Sequence, residues 1–115
     1  MKLNHLNLAV TDVDAAHQFL TTYFDLQSMT GGNAAMRGLI DDNGSTLILM
    51  RSEHTDVHYP RSFHIGFTQT SEAEVDALNQ RLRDAGFDVP APRRLHGSWA
   101  FYFQAPGGFV IEVSC

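Results

Sequence analysis

Cysteine, long apolar runs and positive charge are all scarce in this sequence. The one cysteine among the 115 residues, Cys115, has no partner for an internal disulfide, and its place at the last residue argues against a catalytic thiol. The longest apolar run, near residues 46–50, is far below the roughly 18 to 20 residues that span a bilayer. No secretory signal begins the chain. We therefore expect a soluble, cytoplasmic protein with no membrane partner.

Basic residues are outnumbered and dispersed. Eight lysines and arginines stand against 13 aspartates and glutamates, and the formal net charge is −5. Without a basic stripe to follow a phosphate backbone, nucleic acid is not an expected partner. What the chain does have is a hydrophobic content of 43%. Over this length that is enough for one modest core, so we predict a single domain spanning residues 1–115.

The first half of the chain predicts a strand, a helix and then further strands. Residues 3–10 alternate between apolar and polar side chains, as a half-buried strand does. Apolar residues then recur at helical spacing, after a start that Thr11 or Asp12 can cap. A short strand is predicted at 36–40, and the Asn-Gly pair within 41–44 predicts a two-residue hairpin before the return strand.

The second half predicts the same elements in the same order. A strand at 62–70 leads into a helix with a capping box at 71–74, and Gly86 marks the helix end. Two strands follow, at 99–105 and 109–114, joined by a Pro-Gly-Gly turn. The sequence therefore predicts a duplicated β-α-β-β-β module of roughly 55 residues, with module one at about 1–58 and module two at about 59–115.

Three polar residues interrupt the predicted strands at related points. His5 and His64 head the leading strands of the two modules, opposite apolar faces, and Glu112 interrupts the apolar alternation of the last strand. Leu49 is the predicted counterpart of Glu112 in module one. Two neutral imidazoles and one carboxylate suit a catalytic divalent ion (Fe, Mn, Ni or Zn) with positions left open for substrate.

A more ordinary interpretation competes for each of these residues. A single strand histidine is more often hydrogen-bonded or solvated than a ligand, and a glutamate on the solvated face of an antiparallel strand is common. The combination in His5, His64 and Glu112, in register across a repeat, favours the metal hypothesis. The other histidines are predicted to be solvated, although His96 and Trp99 could line a pocket mouth.

The segments "NHLNLAV.D", "FHIGF" and "FYFQAPGGFVIEV" resemble the vicinal oxygen chelate superfamily, which includes glyoxalase I, extradiol dioxygenases, fosfomycin-resistance enzymes and bleomycin-resistance proteins. The resemblance implies an α+β fold in which two β-α-β-β-β modules form an incomplete mixed β-barrel around a concave site, with the helices outside. It also implies a homodimer. His5, His64 and Glu112 match the ligand positions for one divalent metal ion, and Leu49 stands where glyoxalase I has a fourth, acidic ligand.

Two further residues gain a role from the resemblance. Tyr102 matches a substrate-side tyrosine of the fosfomycin enzymes, and Asn7 stands where those enzymes have a threonine. The predicted substrate pocket therefore contains Asn7, Tyr102, His96 and Trp99, and no further catalytic residue is assigned.

Two functional hypotheses follow, from different classes. The leading one is a metal-dependent enzyme that acts on a small, vicinally oxygenated substrate by dioxygenase-like, lyase or thiol-transferase chemistry. The alternative is a metal-free protein that sequesters a small aromatic or antibiotic-like ligand, as bleomycin-resistance proteins do, on aromatic side chains. A purely structural module is a third possibility. The aromatic residues of the alternative are Tyr59, Trp99, Phe101, Tyr102 and Phe103.

Overall fold

A computed structural model describes residues 1–54 and 56–115. In this part of the chain two helices and eight strands follow one another, and no helix combines the length and the apolar character needed to cross a membrane. The elements are β1 His5–Val10, α1 Val13–Tyr23, β2 Gln27–Ser28, β3 Met36–Ile40, β4 Thr46–Arg51, β5 Ile65–Thr68, α2 Glu72–Asp84, β6 Arg93–Leu95, β7 Ser98–Ala105 and β8 Phe109–Ser114.

The strands form two four-stranded sheets with the same topology. The strand orders are β1-β4-β3-β2 and β5-β8-β7-β6. In each sheet the leading strand pairs in parallel with the last strand, and the other pairs are antiparallel. Among the described residues neither sheet closes on itself. The predicted α+β fold and its duplicated β-α-β-β-β plan are confirmed.

Contacts along the chain define two compact units. Unit one contains residues 1–59 with the turn at 106–108, and unit two contains residues 60–105 and 109–115. In unit one, Asp12 caps α1, because its Oδ1 accepts a hydrogen bond of 3.0 Å from the Ala15 N–H. The apolar stripe of α1 covers one face of the sheet. The core residues of this unit include Leu8, Val10, Ala16, Leu20, Leu39 and Leu49.

Unit two repeats this arrangement with larger side chains. The apolar positions of β8 alternate strictly, and its buried residues pack with those of β7 and α2. Gly86 has a φ of +91°, as the predicted glycine stop of α2 requires. Ala85 is the C-cap residue of α2 and is exposed. The buried polar residue is Asn79, whose side chain donates a 2.7 Å hydrogen bond to the Pro90 carbonyl.

The turns differ from prediction in an instructive way. Five residues, 41–45, connect β3 to β4 where the Asn-Gly signal predicted a two-residue hairpin. The loop is longer because Asp41 Oδ1 accepts hydrogen bonds from the backbone N–H groups of Asn43 (3.0 Å) and Ser45 (2.8 Å). The two-residue turn occurs instead at His96 and Gly97, between β6 and β7.

The two leading strands are shorter than predicted. The leading strand of unit one begins at His5 instead of residue 3, because Leu3 is exposed and pairs with no strand. In unit two, β5 is limited to Ile65–Thr68, so His64 lies immediately before the strand and not inside it. The short strands β2 and β6 were not predicted, since two or three residues are too few for a periodic signal.

Candidate metal centre

His64 and Glu112 meet in unit two, on the face of the sheet that α2 does not cover. Glu112 lies in β8 between Ile111 and Val113, which are both fully buried on the helix side. Because side chains alternate along a strand, the carboxylate points to the other face. The Glu112 side chain is 21% exposed and that of His64 is 38% exposed. The pair is therefore partly shielded but open to small molecules.

The hydrogen bonds of His64 make it a suitable metal ligand. Its Nδ1 lies 3.1 Å from the Ser62 carbonyl oxygen, and its Nε2 lies 3.0 Å from Glu112 Oε2. A carbonyl oxygen only accepts, so Nδ1 carries a hydrogen and Nε2 is the ring atom that faces the carboxylate. At 3.0 Å, His64 Nε2 and Glu112 Oε2 must share either a proton or a cation. The donor set fits a divalent metal ion, and a backbone partner on the second ring nitrogen is typical of metal-binding histidines.

Tyr102 touches both members of the pair. It lies directly opposite Glu112 in the antiparallel β7–β8 ladder, so the two side chains are neighbours on the same face of the sheet. Its ring meets the His64 ring edge-on, with the centroids 5.3 Å apart. Burial raises the pKa of the Tyr102 hydroxyl, and the hydrogen bond to Glu112 and the negative charge of Glu112 raise it further.

His5 and Asn7 belong to unit one. His5 is the first residue of β1, is exposed, and has its Nδ1 2.7 Å from Asn4 Oδ1. Asn7 is exposed too, and its side-chain amide lies 3.9 Å from the Met50 sulfur. Within the described residues no group of three or more histidine, cysteine, aspartate or glutamate side chains is gathered for a metal ion. The ligand role of His5 therefore stays a prediction.

The two loop-region pocket candidates, Trp99 and His96, have structural roles of their own. The Trp99 indole N–H donates a 2.8 Å hydrogen bond to Asp76 of α2, and the Arg94 guanidinium lies over its ring at 5.3 Å. Trp99 is thus on the helix side of β7, away from the Glu112 face. His96 has a φ of +49° and forms the β6–β7 turn with Gly97. The structure does not bring either residue together with Glu112.

The predicted counterpart of Glu112 must also be corrected. Leu49 is fully buried, on the helix side of its sheet. Asn7 lies two residues after His5 and pairs with Ile48. Gly66 lies two residues after His64 and pairs with Glu112. Ile48 therefore occupies the position that matches Glu112, and the sequence alignment of the halves was wrong by one residue. A one-residue slip moves a side chain to the other face.

A second concave region lies in unit one, beside the end of β1. Its cavity of about 330 Å³ is bordered by Ala9, Val57 and Tyr59 together with His54 and His58, histidines that were predicted to be solvated. The Tyr59 hydroxyl donates a 2.7 Å hydrogen bond to the Ala9 carbonyl. No pattern in the sequence predicted this cavity, because it depends on the position of Val57 and Tyr59 beside Ala9 of β1.

Two β-α-β-β-β units with histidine at the head of each leading strand and glutamate on the last strand correspond to the vicinal oxygen chelate class. The chain belongs to the Glyoxalase/Bleomycin resistance protein/Dioxygenase superfamily, whose family model matches residues 2–113. A possible glyoxalase from Bacillus cereus is 46% identical, with a TM-score of 0.92, and the match covers 100% of this chain and 99% of that one.

More distant structures share the fold. Lactoylglutathione lyase from Agrobacterium tumefaciens has a TM-score of 0.78 at 23% identity, with 98% of this chain and 92% of that chain covered. A variant of the fosfomycin resistance protein FosX from Listeria monocytogenes, in complex with Mn(II) and a dihydroxypropylphosphonic acid, has a TM-score of 0.79 at 19% identity, with 99% and 88% covered. No curated protein matches the chain.

Proposed function

We propose that this chain is a metal-dependent enzyme acting on a small, vicinally oxygenated substrate, and that His5, His64 and Glu112 hold one divalent ion (Fe, Mn, Ni or Zn). The observation that carries the proposal is the 3.0 Å approach of His64 Nε2 to Glu112 Oε2, with the His64 ring oriented by the Ser62 carbonyl. Family membership supports it, as does the Mn(II) in the FosX relative.

Each residue of the proposed site has a distinct role in binding the ion or the substrate. When bound, the ion supplies Lewis-acid stabilisation of negative charge on a substrate oxygen. Glu112 contributes the negative charge that holds a cation, and its half-buried position strengthens that attraction relative to bulk water. His64 is oriented by the Ser62 carbonyl, which directs Nε2 toward Glu112. Asn7 and Tyr102 are polar groups that would orient the substrate oxygens.

The residue of unit one that corresponds to Glu112 is apolar, and this limits the reactions that the site can support. Ile48 offers no fourth ligand at the position that corresponds to Glu112. A three-ligand site with open positions is better suited to dioxygenase-like or thiol-transferase chemistry than to glyoxalase I chemistry, which uses a fourth ligand. Lyase chemistry on a three-ligand site stays within the proposal.

The metal-free sequestering function has less support. Phe101 and Phe103 are core residues, 1% and 5% exposed, and the indole of Trp99 is held by Asp76 and Arg94. Most of the aromatic surface on which that hypothesis depended is therefore occupied within the protein.

We also propose a homodimer located in the cytoplasm. The leading strands β1 and β5 are edge strands of their sheets, and edge strands are commonly covered by a partner. Size-exclusion chromatography with light scattering should give about twice the 12.8 kDa chain mass. A mass equal to that of one chain at micromolar concentration would contradict the dimer.

Metal binding by untagged protein tests the central proposal. Wild type, His64→Ala and Glu112→Gln are titrated with Mn²⁺ and Ni²⁺ by calorimetry, and the metal content after purification is measured. We expect one equivalent in wild type and at least about a 100-fold weaker affinity in both variants, because each loses a ligand. His58→Ala, which removes an imidazole that is 84% exposed, is the matched control and should bind like wild type.

Negligible binding in all four proteins would refute the metal-dependent function and favour the sequestering hypothesis. A thermal-shift screen of the metal-loaded protein with diols, α-keto aldehydes, thiols and antibiotics then identifies the substrate class. Compounds that raise the melting temperature only when metal is present are candidate chelating substrates. Compounds that raise it equally without metal support sequestration.

A further inference from the structure

We propose that Tyr102 is a positioning residue that holds both His64 and Glu112 in the geometry for metal binding. The inference rests on the proposed function, and it gives Tyr102 a task beyond the substrate contact that the family resemblance implied. The motivating observation is that Tyr102 lies directly opposite Glu112 in the β7–β8 ladder while its ring packs nearly perpendicular to the His64 imidazole, with the ring centroids 5.3 Å apart.

The backbone around Tyr102 is well suited to fix these contacts. Tyr102 pairs directly with Glu112 in the β7–β8 ladder, so the separation of the two Cα atoms is set by the sheet and not by a flexible loop. Its neighbours Phe101 and Phe103 are buried and anchor β7 on the helix side. The Tyr102 ring therefore stands on a rigid platform beside the two proposed ligands.

The internal repeat provides an independent observation. In unit one Gly38 pairs with Ile48, as Tyr102 pairs with Glu112 in unit two. Where the carboxylate is missing, the tyrosine is missing as well. The Met29 side chain fills the space instead, because a Cβ added at Gly38 would lie only 2.6 Å from the Met29 sulfur. Tyrosine and glutamate are thus present together in one unit and absent together from the other.

A hydrogen bond from the Tyr102 hydroxyl would occupy one acceptor site of the carboxylate and limit the rotation of Glu112. The ring edge similarly limits the swing of the imidazole of His64, whose other nitrogen is held by Ser62. Outer contacts of this kind typically change metal affinity 10- to 100-fold, roughly, when they are removed.

Tyr102→Phe is the direct test, because phenylalanine keeps the ring against His64 and removes only the hydroxyl. Wild type and variant are titrated with Mn²⁺ by calorimetry, and the Co²⁺ forms are compared by visible absorption. We expect about a 10- to 100-fold loss of Mn²⁺ affinity and a changed Co²⁺ spectrum, with the melting temperature of the metal-free protein nearly unchanged.

Tyr59→Phe is the matched control. It also removes one tyrosine hydroxyl, which donates to the Ala9 backbone carbonyl in unit one. This variant is expected to melt at a lower temperature but to keep the wild-type Mn²⁺ affinity and Co²⁺ spectrum. An equal loss of affinity in both variants would overturn the proposal, since the effect would then be a general loss of structure.

The two proposals fail in different ways. If wild type binds metal and Tyr102→Phe binds it with the same affinity and spectrum, the positioning role is overturned and the metal-dependent function stands. If wild type itself binds no metal, the metal-dependent function fails and the positioning role fails with it.

Discussion

The two units of this protein share a topology and differ in chemistry. Both have a capped helix after the leading strand and the same order of four strands, and both bury the apolar residues that face their helix. On the opposite face, Glu112 and Tyr102 of unit two correspond to Ile48 and Gly38 of unit one. The helix-facing positions therefore determine the fold, and the other face is free to diverge.

The largest loss of stability should come from truncating a side chain on the helix-facing side of β4. Leu49 is fully buried on the helix side, whereas its neighbour Ile48 is half-buried on the other face. Leu49→Ala should lower the free energy of unfolding by about 2 to 5 kcal/mol, because it leaves a cavity in the core. Ile48→Ala should cost about 1 kcal/mol or less, because the site can collapse or admit water.

Urea denaturation followed by circular dichroism measures both costs. Each variant serves as the other's control, since both truncate a branched apolar side chain in one strand. If Ile48→Ala proved the more costly change, the face assignment of β4, and with it the correspondence of Ile48 to Glu112, would be wrong.

The loop between β3 and β4 depends on one carboxylate. Asp41→Ala removes the acceptor of two backbone N–H groups, those of Asn43 and Ser45. We expect a loss of about 1 kcal/mol, comparable to the removal of a helix N-cap. Asp42→Ala, at the exposed neighbouring position, is the control and should be close to neutral in the same urea titration. Equal stability of the two variants would mean that the Asp41 contacts contribute nothing.

The β6–β7 turn of unit two should respond in the opposite direction. His96 and Gly97 both have positive φ, +49° and +88°, the geometry in which Asn-Gly is the favoured pair. His96→Asn should therefore stabilise the protein by about 0.5 kcal/mol, a gain typical of improved turn residues. Its melting temperature should rise while Mn²⁺ affinity stays at the wild-type value. A fall in Mn²⁺ affinity would contradict the assignment of His96 to the turn alone.

The sequence predicted the alternation of the strands, the positions of both helices and the repeat, because each depends on local periodicity. It also predicted that His64 and Glu112 would share a face. It could not determine the alignment of the repeats to one residue, so the predicted counterpart of Glu112 was Leu49, whereas the strand register gives Ile48. Nor could it predict that Trp99 would lie on the helix side, because that depends on its distant partner Asp76.

Mild acid should destabilise the protein through His17 in α1. Its Nε2 lies 2.8 Å from Ser28 Oγ, and its pKa is lowered by burial and by the Arg37 charge, against a smaller opposite effect of Asp14. The unfolded chain therefore binds the proton more readily. The stability contribution is complete above the usual pKa of 6.5 and decreases as the pH falls through it. Melting temperatures from pH 8 to 5 should show this decrease in wild type and less of it in His17→Gln.

A second response should occur in stronger acid, through Glu74 at the start of α2. Its carboxylate accepts hydrogen bonds from the Thr70 hydroxyl (2.6 Å) and backbone N–H (3.0 Å), and these bonds lower its pKa below the usual 4.5. The contribution is present above that value and is lost as the pH falls below it. The effect should be the smallest, because the group is exposed. Melting curves of wild type and Glu74→Gln should converge between pH 5 and 3, and a constant difference would contradict a role for the charge.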